Sequence, residues 1–172
     1  MSASREMAAP AAIEIETASA DETRALAAQL AQAALAGDRL ALIGPLGAGK
    51  TQFAKGFAAG LGVAEVVNSP SFTLMAEYAG RLPLFHQDLY RLAGADEALA
   101  GGLLDERQAA GVTLTEWAER LPGELDPDRL TVRFVVLGDD HRRIALLPGS
   151  GRHQRYLDLA ARWRGREREG GT

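Results

Sequence analysis

Arg39-Leu40-Ala41-Leu42-Ile43 runs without a break into Gly44-Pro45-Leu46-Gly47-Ala48-Gly49-Lys50-Thr51. The stretch from Arg39 to Ile43 is a short apolar run between turn signals, the pattern of a fully buried central strand. Gly44 to Thr51 has the spacing Gly-x-x-x-x-Gly-Lys-Thr, in which glycines let consecutive backbone N–H groups turn inward around a phosphate. From Thr51 to Leu61 the chain reads as a helix ended by Gly62, and the N-terminus of a helix adds a favourable field for an anion. Strand, glycine loop and helix stand in the order that such a site requires. The predicted fold is α/β, a single P-loop NTPase-like domain with a mixed, mostly parallel sheet flanked by helices.

The chemistry of that loop assigns roles. Nucleotide contacts are expected along Gly44, Leu46, Gly47, Ala48, Gly49, Lys50, Thr51 and Gln52. Lys50 neutralises β- and γ-phosphates, and the Thr51 hydroxyl takes one position on magnesium. Such sites also need an acid at the end of a neighbouring strand. Asp88, after the apolar stretch Leu82 to Phe85, and Glu116, at the end of Val112 to Leu114, both qualify, on strands expected to flank the loop. Glu116 is assigned as a metal contact, and Asp88 as the water-orienting group or a second metal contact. His86 is read as supporting packing or a local hydrogen bond in preference to acting as a base. Asn68-Ser69-Pro70-Ser71-Phe72-Thr73 is either a plain turn or a switch loop that responds to the γ-phosphate. The guanine-reading sequence Asn-Lys-x-Asp is absent, since Asn68 is the only asparagine. ATP is therefore the nucleotide expected by default.

Outward from the loop, Ala12 to Thr17 alternates as a half-buried strand. Ser19 with Glu22 forms a capping-box signature for a helix carrying Leu26, Leu30, Ala33 and Ala34, with Gly37 as its expected close. Strands are expected at Phe72 to Tyr78, Leu82 to Asp88 and Val112 to Glu116, with part-helical structure over Ala95 to Ala110 and a short helix ending near Leu121. Leu130 to Leu137 and Arg143 to Leu147, joined at Gly138-Asp139-Asp140, read as a C-terminal β-hairpin. Gln154 to Trp163 reads as a terminal helix. The domain is placed at residues 12–163, with residues 1–11 and 164–172 expected to be disordered tails.

The chain of 172 residues suits one domain with one core. Its net charge of −4 gives no overall pull toward nucleic acid or an anionic surface, so neither DNA nor a membrane is an expected partner. Cysteine is absent, which removes disulfides, thiolate metal sites and thiol nucleophiles together. No apolar run approaches the length of a membrane span, nor does the N-terminus read as a signal peptide, and a cytoplasmic location is expected.

Four segments taken together resemble the TsaE (YjeE) family of small bacterial ATPases. They are Gly44 to Thr51, Ser69 to Thr73, His86-Gln87-Asp88-Leu89-Tyr90-Arg91, and Glu116-Trp117-Ala118-Glu119-Arg120. The resemblance covers about Ile13 to Leu147 in order and spacing. It implies an ATPase needed for threonylcarbamoyladenosine modification of tRNA, working with TsaB and TsaD, in which hydrolysis resets the complex between rounds. tRNA would then be met indirectly, through the complex. By motif position it implies that Lys50 and Thr51 bind phosphate and magnesium, that Glu116 is a magnesium ligand and that Asp88 is needed for hydrolysis. Trp117 would sit near the site, Ser69, Pro70, Ser71, Phe72 and Thr73 would be the switch, and Glu22 and Thr23 would lie near the adenine. Pro45, Ser71 and Gln87 depart from the family's usual residues, and none of them removes a named catalytic group. Two other readings remain open on the residues alone: a small-molecule P-loop kinase, and a conformational switch that binds ATP with little hydrolysis.

Overall fold

Ile15 and Thr17 turn inward and Glu14 and Glu16 outward along Ile13–Thr17 (β1). Ser19 then caps the helix Ala20–Leu30 (α1). Its hydroxyl accepts from the Glu22 N–H at 3.1 Å, and the Glu22 carboxylate accepts from the Ala18 N–H at 2.6 Å. The expected closure of this helix at Gly37 is corrected. α1 ends at Leu30, a 3-10 turn covers Ala31–Ala33, and Ala34 is already extended. Gly37 does adopt a left-handed φ of +92°, but its N–H donates to Gly111 O at 2.7 Å. It joins two loops, and the apolar spacing of Ala33 and Ala34 reflects core contact rather than continued helix.

The remaining elements are Arg39–Ile43 (β2), Lys50–Gly60 (α2), Met75–Tyr78 (β3), Leu84–Asp88 (β4), Val112–Glu116 (β5), Leu130–Val136 (β6), Arg142–Leu147 (β7) and Gln154–Gly170 (α3). α2 is closed off by a left-handed Gly62 just past its C-cap Leu61, as expected, with Gly62 N–H on Ala59 O and Val63 N–H on Ala58 O. α3 runs past Trp163, the end expected for the terminal helix. These elements belong to a computed structural model that describes residues 11–68, 70, 75–90, 106–121 and 128–170. Ser69, Ser71, Phe72 and Thr73, Arg91 and most of the expected helix from Ala95 lie outside the described residues; Glu106–Ala110, at its end, is a 3-10 turn.

The sheet has seven strands in the order β1-β7-β6-β2-β5-β4-β3. β6, β2, β5 and β4 are mutually parallel, while β7, β1 and β3 are added antiparallel at the two sides. The fold is thus the expected mixed α/β sheet, with β6–β7 as the expected hairpin. Strand period places Leu40, Leu42, Leu84, Val112, Leu114, Leu130, Val132 and Phe134 on one face, in one cluster with Leu26, Phe53, Phe57 and Tyr156 from the three helices. The opposite face near β4 and β5 is polar inside, where the Thr115 hydroxyl donates to Gln87 at 3.0 Å. Among the described residues no helix is long and apolar enough to cross a membrane.

Gly56 and Gly60 let α1 and α2 cross at backbone contact. A Cβ at Gly56 would overlap the Arg24 backbone, and one at Gly60 the Ala28 backbone. Alanine normally gains about 1 kcal/mol over glycine inside a helix. Here overpacking against backbone outweighs that gain, so Gly56→Ala is expected to lower stability by about 1–3 kcal/mol in urea melts.

α3 is fixed through a buried carboxylate at the start of β2. Asp38 accepts from Arg152 and Arg155 at 2.9 Å each, from the Tyr156 hydroxyl at 2.6 Å and from Leu35 N–H at 3.0 Å. Burial, reinforced by Asp38, pushes the Tyr156 hydroxyl pKa up. Beside it, the buried His153 Nδ1 accepts from Gly149 N–H at 3.0 Å, and burial holds its pKa below the ordinary histidine value. The unfolded chain therefore takes up this proton first as pH falls below about 6.5. Stability from this group is complete above that pH and is lost as pH drops toward the lowered folded value. The urea midpoint should fall between about pH 7 and pH 5, and fall less in His153→Asn, which keeps an acceptor but does not titrate.

Candidate functional site

The phosphate loop connects β2 to α2 at the carboxyl end of the parallel strands, where ligands meet open α/β sheets. Gly47 (φ +78°) and Gly49 (φ +104°) are left-handed, a conformation that glycine adopts without strain. Lys50 folds back over the loop. Its Nζ donates to Gly44 O, and to Pro45 O at 3.3 Å, and lies 3.5 Å from the centroid of the Trp117 ring. Burial lowers its pKa, and the negative charges of Glu119, Glu116 and Asp88 oppose that shift. This ammonium ion has shed much of its water and is already directed along the loop.

The carboxylate facing Lys50 and Thr51 comes from β5, the direct neighbour of β2. Register places Leu42, Glu116 and Asp88 level across β2, β5 and β4. Of the two strands expected to flank the loop, β5 pairs with β2 directly and β4 lies one strand further out; the other flank of β2 is β6. Strand order depends on pairing that local residue pattern does not encode. Glu116 is buried, with a relative exposure of 3%. Its Oε1 accepts from the Thr51 hydroxyl at 2.9 Å, and its Oε2 lies 2.6 Å from His86 Nε2. His86 is thus the local hydrogen-bonding residue favoured by sequence, and it orients Glu116. Asp88 Oδ1 accepts from Tyr90 N–H at 3.0 Å just beyond the strand end.

These oxygens fit a magnesium ion held jointly with a phosphate. Thr51 and Glu116 offer hard oxygen donors at hydrogen-bond separation, with Asp88 in the adjoining register position. No group of three or more His, Cys, Asp or Glu among the described residues forms a cage of its own. Magnesium characteristically takes one or two carboxylates and completes its shell with phosphate and water.

A cleft opens beside the loop, lined by Ser19, Ala20, Thr23, Gly47, Gly49, Gln52, Asp140 and Arg142. Thr23 is therefore at the cleft between α1 and the β6–β7 hairpin, with its hydroxyl 2.8 Å from that of Thr17. Glu22, expected near the adenine with Thr23, is not among the residues lining this cleft, and its carboxylate accepts from Ala18 N–H at the start of α1. Leu46 points away, 79% exposed, which leaves only its backbone to the loop. Pro70, the described member of the expected switch, is buried. Trp117 follows Glu116 in a left-handed conformation (φ 57°, ψ 39°), the one such non-glycine among the described residues. Its ring tilts against Tyr90 at 5.1 Å between centroids, and the Arg120 guanidinium lies 5.9 Å from it. Asp140 and Arg142 are not legible as site residues in the sequence, since nothing in a hairpin pattern says that its turn reaches a loop more than ninety residues earlier.

Comparison with known proteins agrees with this fold. Residues 17–144 match the family model described as "Threonylcarbamoyl adenosine biosynthesis protein TsaE". The Bacillus subtilis tRNA threonylcarbamoyladenosine biosynthesis protein TsaE is 42% identical over 147 residues, covering 85% of this chain and 92% of that protein. The protein of the same description from Streptomyces coelicolor is 35% identical, over 81% and 93%. The crystal structure of Bacillus subtilis YdiB superposes with a TM-score of 0.72 at 38% identity, covering 90% of this chain and 97% of that one. The chain belongs to the TsaE family.

Proposed function

We propose that this protein is a magnesium-dependent ATPase acting in threonylcarbamoyladenosine modification of tRNA, with TsaB and TsaD as its partners. The reading is carried by one observation: the Thr51 hydroxyl and the Glu116 carboxylate meet at 2.9 Å at the mouth of the phosphate loop. Family membership supports the pathway.

In this reading the amide N–H groups of Gly44 and of Leu46 to Gln52 cradle the phosphates, and Lys50 leaves its carbonyl partners to reach the β- and γ-phosphate oxygens. Thr51 and Glu116 hold magnesium, which when bound neutralises charge on those same oxygens. His86 keeps Glu116 in the orientation that this requires. Asp88 accepts a hydrogen bond from the attacking water and lines it up with the γ-phosphorus. Thr23, with Ser19, Gln52 and the hairpin turn, borders the space for the nucleoside. Trp117 backs the Lys50 ammonium through its ring face. The segment from Ser69 to Thr73 serves as the switch. Hydrolysis is slow alone and faster with the partners, and it resets the complex between rounds of transfer. The protein works in the cytoplasm and meets tRNA through that complex.

Asp88→Ala tests this division of labour. MgATP affinity should stay within about threefold of wild type, while hydrolysis and many-round modification fall by about 100-fold or more, the scale of a lost water-orienting base. A variant that still sustains modification would mean that ATP acts only as a conformational ligand. ATP consumption that needs an added phosphoryl acceptor would identify a kinase.

A further inference from the structure

Arg142, the first residue of β7, spends its guanidinium on carbonyl oxygens of two loops. Nε donates to Ala48 O at 3.2 Å and one terminal nitrogen to Gly47 O at 3.1 Å, both in the phosphate loop. The other terminal nitrogen donates to Gly138 O at 2.8 Å and His141 O at 2.9 Å, both in the β6–β7 turn. Leu137 N–H also donates to His141 O, at 3.0 Å, closing that turn. No carboxylate pairs with Arg142 among the described residues, so its positive charge stays on the wall of the cleft.

Peptide planarity gives these bonds a consequence. A carbonyl held toward Arg142 turns the N–H of the same peptide the opposite way. The Ala48 carbonyl thereby fixes the direction of Gly49 N–H, while Ala48 N–H, on the peptide of the Gly47 carbonyl, is held in addition by Pro45 O at 3.1 Å. Both peptides adjoin left-handed glycines, whose backbones have little intrinsic preference against flipping. One planar side chain, with its donors in a fixed fork, restrains both peptides at once.

We propose that Arg142 is a positioning residue that locks the phosphate loop to the β6–β7 turn, so that polyphosphate binding and ordering of that turn are coupled. This rests on the nucleotide reading above. Arg142 prepares the loop amides for phosphate and transmits loop occupancy to the outer hairpin, a surface on the far side of the cleft from α1.

Hydrogen exchange and titration test it together. In the wild-type protein, MgATP should slow amide exchange in residues 137–142 as well as in 44–52; protection confined to 44–52 would overturn the coupling. In Arg142→Gln, affinity for MgATP and for base-free tripolyphosphate should fall by the same factor, about tenfold, with Arg142→Lys recovering part of it. A purely structural role would shift melting and leave both affinities of the folded protein unchanged, which would overturn the proposal. Loss confined to MgATP would also overturn it, because it would make Arg142 a nucleoside contact. If Arg142→Gln fails to fold, the wild-type exchange arm decides. If the wild type binds no nucleotide, the ATPase reading fails separately. Exchange of residues 44–52 in the ligand-free variant then decides, faster than wild type supporting the lock and unchanged exchange refuting it.

Discussion

Lys50→Ala should lower MgATP affinity by at least about 100-fold, the cost of leaving phosphate charge without its buried cationic partner. The residue is only 5% exposed, and its ammonium ion is held between two loop carbonyls and the Trp117 ring. Burial has already lowered its pKa, so much of the desolvation cost is met before a ligand arrives. Two added phosphate groups then supply the attraction that Glu119, Glu116 and Asp88 supply only in part. Calorimetric titration measures the loss, and an unchanged melting transition would show that it comes from the site and not the fold. Wild-type affinity in this variant would place phosphate elsewhere on the molecule.

The second large effect concerns Glu116. Glu116→Gln keeps an oxygen for Thr51 and a polar group beside His86, yet removes the negative charge from the metal position. The expected result is that magnesium no longer strengthens nucleotide binding, so that the ratio of affinities with magnesium and with chelator falls about tenfold or more. Nucleotide binding without metal should change little. Glu116→Ala is the harsher variant, because it strands the buried His86 Nε2 as well as the Thr51 hydroxyl. It should lose stability in addition to its metal response. A normal magnesium effect in Glu116→Gln would assign the metal to Asp88.

The parts of this site that are legible in sequence are those made by neighbours in the chain. Gly44 to Thr51 announces its own backbone geometry, and Ser19 with Glu22 announces a helix start. Alternation along β6 and β7 shows a hairpin. Glu116 can be found because a strand pattern ends on an acid. What sequence does not supply is long-range. Strand order separates Asp88 from β2 by one strand, and only pairing decides that. Asp38 meets Arg152, Arg155 and Tyr156 across more than a hundred residues, so a local reading sees one acid in a turn and basic residues near a helix start. Glu22 shows the opposite hazard. One carboxylate suits two expectations, a capping box and a nucleotide contact, and a local pattern does not say that it accepts from the Ala18 N–H. Gly37 misleads because a left-handed glycine marks many kinds of turn, and the contact that uses this one comes from Gly111.

The most direct test of the central claim is ATP hydrolysis by the purified protein, alone and then with TsaB and TsaD, scored beside tRNA modification over many turnovers. The account predicts that the partners stimulate hydrolysis, and that modification stalls after about one round when this protein is left out. Hydrolysis indifferent to the partners, together with many-round modification in its absence, would contradict it.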